Sequence, residues 1–245
     1  MGDYAQAETL YIQCVELRKK VVGEEHSEYA SELNYLALFY FYKGDYGRAE
    51  PLYLQCRDIQ KKVLGEENSS YANTLNNLGH LYRSMGDYAQ AEPLYLQCRD
   101  IRKKVYGEEN RFYAASLNSL ANIYHVIGDY ERAEPLYLQC RDIRSKVLGE
   151  EHAEYATTLN DLAGLYESMG DYRRAEPVYL KCKEIQQKVL GEQHPDYATT
   201  LNNLALLYYS TGDYARAEPL YLKCKEIQKK VLGDCLLYTS PSPRD

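Results

Sequence analysis

The chain has 245 residues, of which 45% are hydrophobic and 27% charged, an ordinary composition for a folded polypeptide. Its formal net charge of −7 argues against a general nucleic-acid or membrane-surface binder, because either needs a net basic face. No apolar run approaches the roughly 20 residues that span a bilayer, so membrane insertion is not expected.

In chain order, the first recognisable element is Gly-Asp-Tyr at Gly2. It returns at Gly44, Gly86, Gly128, Gly170 and Gly212, a step of 42 residues each time. A fixed period of this size marks a stack of identical supersecondary units, each burying its apolar face against its neighbours. The divisions that follow are a half repeat over 1–24, then repeats over 26–65, 68–107, 110–149, 152–191 and 194–233. Together these form one array over 1–233, followed by a tail over 234–245.

The repeat 68–107 serves as the type unit. Asn68 suits a helix N-cap, as do its equivalents His26, Asn110, His152 and His194, and Pro195 suits a first helical position. A first helix is expected from there to about Ser84, with Tyr71, Leu75, Leu78 and Tyr82 at the three- and four-residue spacing of one buried face. Gly86 stops it and Asp87 caps a second helix over about 88–105. The second helix has an apolar face of Tyr88, Ala91, Tyr95, Cys98 and Ile101, and Lys103 and Lys104 lie in its last turn. Pro93, repeated at Pro51, Pro135, Pro177 and Pro219, removes one backbone bond beyond the first turn and predicts a mild kink.

Six of the seven cysteines, Cys14, Cys56, Cys98, Cys140, Cys182 and Cys224, share one phase of the repeat. They do not cluster as metal ligands do, and one per unit places them too far apart to bridge. They read as small buried residues at a helix contact. Unpaired thiols suit a reducing compartment, so a cytoplasmic location is expected.

Leu75, Leu78, Gly79, Tyr82, Gly86, Tyr88, Ala91, Tyr95 and Cys98 fall on the signature positions of the tetratricopeptide repeat, with Leu75 for the usual tryptophan and Cys98 for the usual alanine. The common unit has about 34 residues; this one is longer, in its second helix and the Gly-Glu-Glu loop. The run Thr199-Thr200-Leu201-Asn202-Asn203-Leu204-Ala205-Leu206-Leu207-Tyr208, preceded by His194-Pro195-Asp196, resembles the kinesin light chain type of repeat. The resemblance implies an all-α fold, a right-handed α-solenoid of tandem antiparallel helix pairs, whose first helices line a concave groove. It also implies a protein–protein interaction scaffold holding a protein or peptide partner, as part of a motor or signalling complex. The alternative is a sensor region of a larger signalling protein without activity of its own. The array begins mid-unit, and Met1 is in phase with Met85 and Met169, which reads as a fragment of a longer array. The tail Cys-Leu-Leu-Tyr-Thr-Ser-Pro-Ser-Pro-Arg-Asp, Cys235 to Asp245, resembles a translated sequencing adapter and is set apart from the fold.

Catalytic constellations are missing from the sequence: there is no Gly-x-Ser-x-Gly, His-Glu-x-x-His, Cys-x-x-Cys or phosphate-binding glycine loop. No enzymatic activity, cofactor or metal is expected. The differences between repeats carry the information instead. Second helices are nearly copied, whereas first helices vary at Leu38, His80, Asn122, Gly164 and Leu206, and at Phe41, Arg83, His125, Glu167 and Tyr209. These positions share a helix face distinct from the packing stripe. A constant residue runs through it: Asn34, Asn76, Asn118, Asn160 and Asn202. Its amide can donate and accept, so it either holds an extended peptide backbone or bonds the neighbouring helix. The candidate peptide-binding set is therefore Asn34, Asn76, His80, Arg83, Asn118, Asn122, His125, Asn160 and Asn202. Arg83 with His80 and His125 is expected to attract an acidic ligand residue.

Overall fold

A computed structural model describes residues 2–232; the tail over 234–245, with Cys235, lies outside them. Eleven helices are described: α1 (Gly2–Val22), α2 (Ser27–Tyr42), α3 (Tyr46–Leu64), α4 (Ser69–Ser84), α5 (Tyr88–Tyr106), α6 (Arg111–Val126), α7 (Tyr130–Leu148), α8 (Ala153–Ser168), α9 (Tyr172–Val189), α10 (Pro195–Ser210) and α11 (Tyr214–Leu232). Among the described residues there is no strand.

The helix ends are set by the residues that the repeat supplies. Asn68 Oδ1 accepts from the Ser70 N–H at 2.8 Å, and His26 Nδ1 accepts from the Glu28 N–H at 3.2 Å. Asp87 Oδ1 accepts from the Gln90 N–H at 3.1 Å and so caps α5. Each bond satisfies one backbone donor that the first turn leaves without an intrahelical partner. Gly86 has φ 79° and Gly107 φ 81°, the left-handed region that glycine enters without a Cβ clash. Helix α5 runs unbroken through Pro93, whose ring is exposed.

The helices gather into two compact units, Met1–Ile127 and Gly128–Asp245. In the first, each helix from α1 to α6 packs on the next in sequence, and the first helices α2, α4 and α6 also touch in that order. In the second, α7 to α11 pack the same way and α8 touches α10. The core of the type unit is Tyr71, Ala72, Leu75, Cys98 and Ile101, all buried, with Leu94 against them. The same cluster recurs as Tyr155, Ala156, Leu159, Cys182 and Ile185 in the second unit. Each fully buried leucine contributes about 2 kcal/mol through apolar area removed from water.

Polar bonds join one repeat to the next within each unit. Cys56 Sγ lies 3.4 Å from Thr74 Oγ1, and Cys182 Sγ 3.4 Å from Thr200 Oγ1. Tyr82 donates to Glu50 at 2.8 Å and Tyr208 to Glu176 at 3.0 Å. In the second unit the Arg216 guanidinium stacks 4.0 Å over the Tyr208 ring and pairs with Glu176 at 2.6 Å. The glutamates preceding Pro51 and Pro177 are thus partners for a tyrosine in the next repeat. Lys104 reaches back to Glu67 in the preceding loop, but both are largely exposed, so that pair adds little.

The cysteines at the repeat phase are buried at Cys56, Cys98, Cys140, Cys182 and Cys224, as packing residues. Cys14 departs from that expectation and is exposed. Cys98 is covered by α4, the first helix of its own repeat, and among the described residues α1 has α2 on one side only. Burial pushes the Cys56 and Cys98 thiols up to about 11, so they remain protonated and unreactive at neutral pH.

Candidate peptide-binding face

The varied face of the first helices is built on a fixed floor. Leucines at the packing stripe turn one side of α4 inward, which leaves Asn76, His80 and Arg83 on another side, all half-buried. In α6 the equivalents Asn118, Asn122 and His125 are likewise half-buried. In α2 and α8 the asparagines Asn34 and Asn160 are half-buried, whereas Asn202 in α10 is exposed. Within the first unit the structure brings together Asn34, Asn76, His80, Arg83, Asn118, Asn122 and His125 on successive first helices. Asn160 and Asn202 lie on α8 and α10 of the second.

Part of the asparagine ladder is occupied by packing. Asn34 Oδ1 accepts from Asn77 Nδ2 at 3.0 Å, and Asn76 Oδ1 accepts from Ser119 Oγ at 3.2 Å. Asn160 Oδ1 accepts both Asn203 Nδ2 at 3.2 Å and Thr200 Oγ1 at 3.1 Å. Asn122 Nδ2 donates to the Asn118 carbonyl one turn back, at 3.0 Å. The side-chain carbonyls of Asn34, Asn76 and Asn160 therefore tie first helices together. What those three residues still offer a ligand is chiefly the amide N–H pair.

His80 differs from its expected role. Its Nδ1 shares a hydrogen bond with the Tyr95 hydroxyl at 2.9 Å, and the two rings meet edge to face at 5.3 Å. Gly79 permits this approach, since a Cβ there would meet the Tyr95 ring at 2.7 Å. Burial, reinforced by the charges of Arg83 and Arg102, pushes the imidazole down to about 4. It is neutral at physiological pH and adds no charge for an acidic ligand. Arg83 supplies the positive charge in this stretch of α4.

The equivalent place in the second unit has the opposite character. Tyr179 donates to Glu167 Oε2 at 2.9 Å, and burial raises the Glu167 carboxyl above its usual range. The buried Tyr95 and Tyr179 of the second helices thus reach up to the variable face and bond a different polar residue in each repeat. Sequence reading also passed over a second-helix position, Arg18, Gln60, Arg102, Arg144 and Gln186, whose polar ends reach first helices; those of Gln60, Arg102 and Gln186 lie between two of them. Its switching between arginine and glutamine inside an otherwise copied helix was the available signal. Among the described residues no group of histidine, cysteine, aspartate or glutamate could hold a metal ion, and no helix is long and apolar enough to cross a membrane.

Tandem antiparallel helix pairs with a copied packing face and a varied first-helix face define an α-solenoid interaction scaffold. Tetratricopeptide repeat profiles match residues 28–104, 112–186 and 169–230, and a further one matches residues 1–28. The chain belongs to the tetratricopeptide repeat family, whose fold supports protein–protein interaction. Among solved structures it is similar to BtubC (BKLC) from P. vanneervenii, with 25% identity and a TM-score of 0.74 over 99% of this chain and 94% of that one. It is also similar to the nearly identical TPR-like repeats of a kinesin light chain candidate from Podosopora anserina. There the identity is 28% and the TM-score 0.69, over 84% of this chain and 98% of that one. A Rap protein complexed with Competence and Sporulation Factor shares the fold at 15% identity and a TM-score of 0.71, over 93% of this chain and 65% of that one. No curated protein sequence matches the chain.

Proposed function

We propose that this chain is a scaffold that holds an extended peptide or partner protein on its first-helix face, in the manner of a kinesin light chain cargo adaptor. The observation that carries the reading is the division of labour between helices. Residues that pack the stack are repeated, whereas His80, Arg83, Asn122, His125 and Glu167 change from one repeat to the next on a single face. A surface that only had to stack would have no reason to vary there while its supports stay constant. Likeness to the kinesin light chain candidate supports the adaptor form of the proposal. The asparagine amides hold peptide backbone, and Arg83 reads acidic side chains through charge-assisted bonds. A location in the cytoplasm fits the buried, unpaired thiols.

A peptide-library selection on the full chain, followed by Asn118→Ala, tests the backbone role. The variant is expected to weaken all selected peptides by about 1 kcal/mol, the usual net worth of one hydrogen bond, whatever their sequence. A loss confined to a few sequences would contradict a backbone contact.

A further inference from the structure

The second-helix position that switches between arginine and glutamine supplies its own series of comparisons. Arg18 pairs with Glu28 at 2.6 Å. Arg144, one of the least exposed arginines in the chain, donates to the Glu154 carbonyl at 2.8 Å and to Thr158 Oγ1 at 2.7 Å, with the Glu154 carboxylate 3.6 Å away. Arg102 fills the corresponding place in the first unit, donating to Asn73 Oδ1 at 2.9 Å and to the Phe112 carbonyl at 3.2 Å. Arg102 and Arg144 therefore insert a guanidinium into the slot between a second helix and the first helix that follows it, and Arg18 places one at the exposed equivalent.

At Gln186 the cation is missing and its acceptors remain. Asp196 stands where Glu28 and Glu154 stand in the arginine repeats, and Thr200 stands where Thr158 does. Gln186 is 3% exposed, and its Oε1 is buried with no hydrogen-bond partner among the described residues. It lines a cleft of about 190 Å³ between α8 and α10, together with Thr157, Asn160, Asp196, Thr199 and Thr200. Thr157 and Thr199 donate their hydroxyl protons to carbonyls of their own helices at 3.1 Å, and Thr200 donates to Asn160. The cleft is thus lined by hydroxyl and carbonyl oxygens together with the amide groups of Asn160 and Gln186, and the Gln186 Oε1 is buried and unsatisfied on the same cleft as the Asp196 carboxylate. Leaving a buried acceptor unpaired costs about 1–3 kcal/mol, which a donor from outside would recover. The N-terminal dipole of α10 opposes a cation here, and Asp196 in that turn offsets it. Arg144 at the equivalent turn of α8 shows that this arrangement holds a guanidinium.

Gln60 is the internal control. There Thr74 Oγ1 donates to Gln60 Oε1 at 2.8 Å, and Ser70 stands where the acidic residue would be. That slot is satisfied and uncharged.

We propose that the cleft between α8 and α10 binds a guanidinium group, the side chain of an arginine on the bound peptide. Planar donors on several edges match acceptors spread around the slot, which a lysine ammonium would meet less completely. The proposal rests on the peptide-binding reading only for the statement that the arginine belongs to a peptide.

The test uses the full chain and a single-residue probe, N-acetyl-arginine methylamide, with its citrulline and lysine counterparts, followed by NMR shifts of the Gln186 side-chain amide and the Asp196 and Thr200 backbone amides. The arginine probe is expected to shift these signals and the citrulline probe to bind at least about tenfold more weakly. Gln186→Arg, which fills the slot with the chain's own guanidinium, is expected to abolish the shifts and raise the melting temperature. Should that variant fold poorly, Asp196→Asn is expected to weaken the arginine probe about tenfold while leaving the melting temperature unchanged. Equal binding of arginine and citrulline, no shift at Gln186, or full binding by both variants would overturn the proposal. If the library yields no peptide but the arginine probe still shifts Gln186, the peptide reading fails and the slot stands. If peptides bind without discriminating arginine from citrulline, the slot fails and the peptide reading stands.

Discussion

Helices α5 and α7 differ at four of nineteen positions, whereas α4 and α6 differ at ten of sixteen. The difference is physical. Within a unit, second helices such as α3, α5 and α9 contact the first helices on either side, so most of their inward positions are fixed by two neighbours at once, as Cys56 is by Leu33 and Thr74. A first helix is fixed along its leucine stripe and is free to change on the side carrying His80 and Arg83. Packing constraint is thereby assigned to one face of the repeat, and the proposed recognition to the other.

Charge placed at the copied contact breaks this arrangement most severely. Cys98→Lys is expected to cost more than about 4 kcal/mol, because an unpaired ammonium would be buried against Tyr71 and Leu75. Cys98→Ala is expected to cost about 1 kcal/mol or less, since few atoms are lost. Urea unfolding of the two variants measures both. A mild Cys98→Lys would show that this contact opens.

A smaller effect is expected where the two faces meet, at His80. Its folded value of about 4 lies below its ordinary 6.5. Between those limits the unfolded chain binds a proton that the folded chain does not. The stabilising difference is complete above pH 6.5 and is lost as pH falls towards 4. His80→Asn, the residue found at the same place in α6, is expected to flatten that part of the stability–pH curve by about 1–2 kcal/mol, allowing for the exposed edge of the ring. Unfolding of both proteins at pH 7 and pH 4.5 measures it, and an unchanged difference would mean that His80 titrates normally.

The asparagines sharpen the boundary further. Asn76→Ala removes the acceptor of Ser119 and is expected to cost about 1 kcal/mol of stability. Asn202→Ala, at an exposed position, is expected to leave the melting temperature unchanged. Equal costs would place the whole ladder in the packing.

Much of the fold was legible because its signals are local. Asn68 and Asp87 cap helices, glycines end them, and the leucine and tyrosine spacing fixes which side turns inward. The exposure of Cys14 was not, because a residue's phase in the repeat does not tell whether a neighbouring helix covers it. The candidate face was legible as a pattern of variation, whereas its bonds were not. That Asn34 binds Asn77 and His80 binds Tyr95 depends on side-chain reach across helices, which periodicity does not encode. The switch from Arg144 to Gln186 was visible in the sequence but had no meaning until Glu154 and Asp196 were seen beside those residues.

The most direct test of the central claim is the affinity of Arg83→Ala for a matched pair of library peptides, one acidic and one with its acids replaced by amides, at low and high salt. The account predicts that the acidic peptide weakens about tenfold at low salt and less at high salt, where charge is screened. It also predicts that the amide peptide and the melting temperature stay unchanged. Equal weakening of both peptides, or a fall in melting temperature with no selectivity, would contradict the assignment of recognition to the first-helix face.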